Sequence, residues 1–120
     1  MEGNTHGCLG SILYNMGNFK QARKYHKLHL EIGRERGDKT GEENAYCNLG
    51  NAYRSLGVFK KAIEYHKQYL SIAKELGDKA GEGAAYCNLE SDHHSLGDLK
   101  RGIEYHEQHL RIARRGRGTV

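Results

Sequence analysis

The chain is 120 residues long, one small domain, and its net charge of +4 with 28% Asp, Glu, Lys and Arg sets it apart from membrane-spanning proteins. No apolar run nears the roughly 20 residues that cross a bilayer, and the opening MEGNTHGCLG lacks the basic flank and apolar stretch of a signal peptide. Three cysteines, Cys8, Cys47 and Cys87, without CxxC or finger spacing, leave one over from any disulfide pairing; reduced thiols in a cytoplasmic setting are expected.

Proline is absent, and Lys, Glu, Leu and Ala are spread throughout, so the chain leans helical. Written in three rows of forty it aligns without a gap. Leu9-Gly10 stands over Leu49-Gly50 and Leu89-Glu90, Gly17 over Gly57 and Gly97, and Tyr25-His26 over Tyr65-His66 and Tyr105-His106. The first row shares 17 of 40 residues with the second, and the second shares 19 of 40 with the third. A fixed period between 20 and 50 residues marks a stacked repeat array.

The first unit, residues 1–38, is the most basic: residues 1–40 carry seven Lys and Arg against four Asp and Glu. Gly17 divides it, and Gly37-Asp38 closes it with a C′ glycine followed by an N-cap. The second unit, residues 39–78, shows the pattern most fully. Tyr46, Leu49, Ala52, Tyr53 and Leu56 fall on one face of a helix; after Gly57 the stripe resumes with Phe59, Ala62, Ile63, His66, Leu70 and Ala73. Two antiparallel helices, roughly 39–56 and 59–76, follow from this, with Gly50 and Ala62 allowing close approach. The third unit, residues 79–115, keeps Leu99, Ile103, Leu110 and Ile112 in its second helix. Its first helix differs: Gly50-Asn51-Ala52-Tyr53-Arg54 becomes Glu90-Ser91-Asp92-His93-His94. Polar groups on the apolar stripe imply a buried, unpaired carboxylate costing several kcal/mol, so this helix is expected to shift or to expose that side. The tail, residues 114–120, is basic and is expected to fray.

These residues carry a resemblance. Leu49-Gly50, Tyr53, Gly57, Phe59 and Ala62 resemble the tetratricopeptide repeat signature, and all three units are covered. The forty-residue period, LGNAYRSLG and the recurring Tyr-His are similar to the extended repeats of the Leu-Gly-Asn-rich G-protein-signalling modulators and of proteins like tetratricopeptide repeat protein 28. The resemblance implies an all-α fold: a right-handed α-solenoid of three helix-turn-helix repeats, six antiparallel helices, whose first helices line a concave groove for peptides or helices of other proteins. The Gα-binding motifs of those modulators have no counterpart here.

First-helix residues that point away from the second helices are the groove candidates. They are Asn44, Asn51 and Arg54 centrally, with Ser55, Tyr14, Asn15, His94 and Ser95 beside them; Asn4, Ser11, Cys47, Ala84, Cys87 and Ser91 hold matching places. Asn and Arg suit the backbone or carboxylates of an extended ligand. A clamp for chaperone C-termini does not fit, because Gly7, Ser11, Ala84 and Asn88 stand where its basic and amide residues belong and only Asn48 agrees. The pairs His26/His29 and His106/His109 have the spacing to share a cation. Yet His26, His66 and His106 recur on the packing stripe, and adjacent residues such as Asp92, His93 and His94 diverge by about 100° on a helix; no metal and no cofactor are expected. No phosphate-cradling glycine loop or nucleophile-base set is present, so an enzyme is not expected. The function read from these residues is a protein-interaction module or scaffold holding a peptide or helix of a protein partner. An alternative is end-to-end self-association through uncapped ends. Nucleic-acid binding through the basic surface comes third and is unlikely, since amide residues recur in only two units of three. No membrane partner is expected.

Overall fold

A computed structural model describes residues 2–118, with side chains from 6 to 115. The forty-residue period appears in it as three helix pairs: α1 (Glu2–Asn15) with α2 (Phe19–Arg36), α3 (Lys39–Ser55) with α4 (Phe59–Leu76), and α5 (Lys79–Leu96) with α6 (Leu99–Gly118). Each helix packs on the next along the chain, and α3 also touches α1 and α5. Such nearest-neighbour packing makes the chain an all-α helical repeat solenoid.

The punctuation works as its chemistry dictates. Gly77 adopts φ 68°, a left-handed conformation that ends α4. The Asp78 amide then donates back to the Ala73 carbonyl at 2.9 Å, and the Asp78 carboxylate accepts from the Gly81 amide at 2.9 Å to open α5. Gly37 and Asp38 do the same one unit earlier. Asn18 caps α2 through Gln21, whereas Val58, at the same place before α4, offers no side-chain acceptor.

The core runs through the middle unit: Leu30, Ala45, Tyr46, Leu49, Tyr53, Ala62, Tyr69, Ile72 and Ala85 form one cluster. Tyr53 stacks on Tyr65 with ring centres 5.5 Å apart, and His93 stacks on Tyr105 at 5.3 Å in the corresponding place. Two expectations are corrected. Helix α5 does not shift, and most of its altered side stays inside: Asp92 and His93 are both buried, only Glu90 is partly exposed, and α5 runs unbroken to Leu96. The reason is that the two carboxylates find partners and the imidazole of His93 packs as an aromatic ring. Asp92 meets His66, Glu90 meets His106 at 3.2 Å, and the His93 ring takes the stacking role of Tyr53. Nor does the backbone fray at residue 114, since α6 continues to Gly118. Arginines in a last turn favour the helix by facing its negative end. Residues 119 and 120 of the tail, and side chains beyond 115, lie outside the described residues.

Candidate functional site

Two adjoining depressions lie along the line between α1 and α3. The first is a cleft of about 160 Å³ lined by Ser11, Tyr14 and Asn15 of α1, Asn48 and Asn51 of α3, and His26 of α2 at its base. The second is a wider, open hollow sharing Ser11 and Asn48, and adding Gly7, Cys8, Ile12, His29, Asn44, Cys47 and Tyr69. Together they make a groove with amide and hydroxyl groups along its walls and one exposed aliphatic chain, Ile12, at its edge. The glycines matter here. A Cβ at Gly10 would come within 2.8 Å of the His26 ring, and one at Gly7 within 2.8 Å of His29, so glycine lets these rings lie under α1.

Both rings are buried, and each leaves Nδ1 without a hydrogen-bond partner. Burial, and next the neighbouring His29, push the His26 pKa down to about 4. Burial lowers that of His29 too, against an opposing pull from Asp38. The base of the groove is therefore neutral at physiological pH, and a neutral imidazole can donate or accept according to its tautomer. Burial also raises the Cys47 thiol, which keeps it protonated and poorly nucleophilic.

The next junction, between α3, α4 and α5, carries the same positions with different contents. His66 is fully buried, with Nδ1 on the Asp92 carboxylate and Nε2 on Asn51 Oδ1 at 3.1 Å. Arg54 donates from Nη2 to the same Asn51 oxygen at 3.3 Å, and its Nη1 lies 3.6 Å from Asp92 Oδ1, an ion contact longer than a hydrogen bond. Because guanidinium is donor-only, the oxygen of Asn51 must be the atom facing both Arg54 and His66. His66 thus stands between two acceptors. The four side chains close a ring of contacts that ties the second unit to the third.

The structure sorts the expected groove residues accordingly. Tyr14, Asn15 and Asn51 come together in the cleft, and Asn44 lies in the adjoining hollow. Tyr14 and Ser55 share a hydroxyl hydrogen bond of 2.8 Å. Arg54 is turned toward Asp92 and Asn51, with 27% of its side chain exposed. His94 lies apart, in a hollow between α5 and α6 with Glu90, Leu99, Gly102, Ile103 and His106; Ser95 is exposed and lines neither depression. Asn4's side chain falls outside the described residues. Sequence reasoning missed Cys8, Ile12, and the two histidines beneath the groove. The signal for His26 was present in the register: His26 and Ala52 stand forty residues before His66 and Asp92. Among the described residues no three His, Cys, Asp or Glu side chains converge as a metal site.

A family model described as a tetratricopeptide repeat matches residues 2–75 and again 41–115. The TPR domain of Arabidopsis FLU superimposes with a TM-score of 0.87 at 25% identity, over 91% of this chain and 92% of that one. BtubC from P. vanneervenii reaches 0.90 at 22% identity, over 97% of this chain and 48% of that one. Aspartyl phosphate phosphatase F from Bacillus subtilis reaches 0.88 at 16% identity, over 95% and 30%. The last two share the fold alone. Among curated proteins none matches significantly in sequence.

Proposed function

The chain belongs to the tetratricopeptide repeat family, whose members generally mediate protein–protein interaction or scaffolding and are typically non-enzymatic, and from that premise we propose that it binds an extended peptide of a protein partner in the groove between α1 and α3. One observation carries the reading. Asn44, Asn48 and Ser11 line a continuous depression beside exposed Ile12, and none of the three is engaged in a side-chain hydrogen bond among the described residues. Amide side chains that offer both a donor and an acceptor match the alternating N–H and C=O of an extended backbone, and repeat solenoids use such surfaces for binding. Asn51 and Arg54 contribute less directly, by fixing the second junction and hence the wall of the groove.

Selection from a random nine-residue peptide library, followed by titration of the selected peptides, tests this. Peptides that bind the parent are expected to weaken about tenfold or more against Ile12→Ser/Asn44→Ala, a variant altered only at exposed side chains. Unchanged affinity in that variant would remove the groove assignment.

One observation favours self-association as a second reading. Leu99 and Ile103 of α6 are each 60% exposed, side by side with Leu110. A concentration-dependent mass in analytical ultracentrifugation, abolished by Ile103→Lys, is its expected signature; a monomer throughout would dismiss it.

The fold has no helix long and apolar enough to cross a membrane among the described residues. A cytoplasmic location accords with the three free cysteines and forms part of the same proposal.

A further inference from the structure

The two junctions between units are built on one plan, and only one of them is full. Each residue of the cleft over His26 has an equivalent forty positions on: Ser11 and Asn51, Tyr14 and Arg54, Asn15 and Ser55, His26 and His66. At the second junction this space holds the Asp92 carboxylate on His66 Nδ1, braced by the Arg54 guanidinium. At the first junction Ala52 replaces the aspartate and Tyr14 the arginine. What remains is an opening of about 160 Å³ whose base is a ring 1% exposed with Nδ1 unpartnered. That volume is about five times the share of one water in the liquid, enough for the end of a side chain. Its walls hold hydrogen-bond donors in the Asn48 amide and the Ser11 hydroxyl, while the Tyr14 hydroxyl beside them is shared with Ser55.

Resting on the groove reading above, we propose that this cleft is a subsite for one carboxylate of the bound peptide, the side chain of an Asp or Glu residue, which takes the place Asp92 holds at the second junction. The protein itself supplies the precedent: at the equivalent imidazole it uses a carboxylate and nothing apolar. The cleft itself is lined by neutral side chains, and a basic patch elsewhere on the first unit favours the same ligand at longer range. Lys20, Arg23, Lys24 and Lys27 of α2 surround an open hollow beside Tyr53, with Arg23 lying 5.6 Å over that ring. None of the four meets a carboxylate within 4 Å among the described residues. In the later units Arg23 gives way to Ile63 and Ile103 and Lys24 to Glu64 and Glu104, so this positive field is strongest in the first unit, although Lys60 and Lys67 keep the places of Lys20 and Lys27. An acidic peptide approaching α1 and α2 is drawn in by it.

The peptide library decides the point when its selected sequences are read. Expected is one fixed Asp or Glu, whose replacement by Asn or Gln weakens binding about tenfold, while moving the carboxylate to the chain terminus does not restore it. Ala52→Asp should fill the cleft from within and abolish the preference for the acid; its fold is checked by circular dichroism. Should that variant fail to fold, Asn48→Ala serves instead, and must weaken the Glu peptide more than the matched Gln peptide. Selected peptides without a fixed acid, or an acid preference that survives Ala52→Asp and Asn48→Ala, overturn the subsite and leave the groove standing. A preference for a terminal carboxylate also overturns it. If no peptide is selected at all, groove and subsite fall together.

Discussion

Replacing Asp92 by alanine separates two opposite readings of the altered stretch in the third unit. On the sequence pattern alone, Asp92→Ala restores the alanine found at position 52 and should stabilise. In the structure the aspartate is 0% exposed and sits on the equally buried His66, with Arg54 3.6 Å away. Removing one partner of such a pair costs about 3–5 kcal/mol, because the other is left buried without compensation. Asn51 still holds the His66 ring through Nε2, and Arg54 is partly exposed and can turn to water. The low end therefore applies, about 3 kcal/mol. With an unfolding entropy near 2.1 cal/mol/K per residue, a chain of this length loses about 12 °C in melting temperature. Thermal unfolding followed by circular dichroism reads the shift. A double-mutant cycle with His66→Ala isolates the pair, and the coupling should exceed about 1 kcal/mol. A variant that melts at or above the parent temperature, or a strictly additive cycle, refutes the paired-carboxylate reasoning.

Val58→Asp should stabilise by about 0.5–1 kcal/mol in urea unfolding, because α4 lacks the side-chain cap that Asn18 and Asp98 give α2 and α6. Gly50→Ala should destabilise by about 1–2 kcal/mol: its Cβ would overlap the His66 ring, and overpacking outweighs the gain in helix propensity. Gly83→Ala, whose nearest contact would be 3.6 Å, should instead raise the midpoint. Glu43 is 6% exposed, and burial, followed by its contact with Asp78, pushes its pKa up to about 7. The folded state thus holds this proton more tightly than the unfolded chain. The resulting stability is present in full below the ordinary pKa of 4.5 and is lost as pH rises from there through 7. Urea midpoints between pH 4 and 8 should show the parent losing on the order of 2–3 kcal/mol relative to Glu43→Gln, and parallel profiles would disprove this.

Most of the fold was legible because it rests on local chemistry that repeats. The Gly-Asp pairs, the stripe through Tyr46, Leu49 and Tyr53, and the alanines at 52 and 62 each dictate a local outcome, and the period multiplies it. What misled was reading one helix at a time. Glu90 and Asp92 look like intrusions on the stripe of α5, yet their partners are His106, sixteen residues on, and His66, twenty-six residues back. Arg54 and Asn51 looked free for the same reason: helical spacing gives the face a residue lies on but not the neighbour that claims its side chain. The groove was legible as the first-helix face. Its base was not, because His26 and His29 belong to the second helix and reach the cleft only through the gaps left by Gly10 and Gly7.

The most direct measurement is where a bound peptide sits. With a library-selected peptide added to the ¹⁵N-labelled chain, the amide shifts that saturate should cluster at residues 7–15 and 44–51, the two walls of the groove. Saturating shifts confined to α2, α4 or α6, with residues 7–15 and 44–51 unmoved, would contradict the groove as the binding surface.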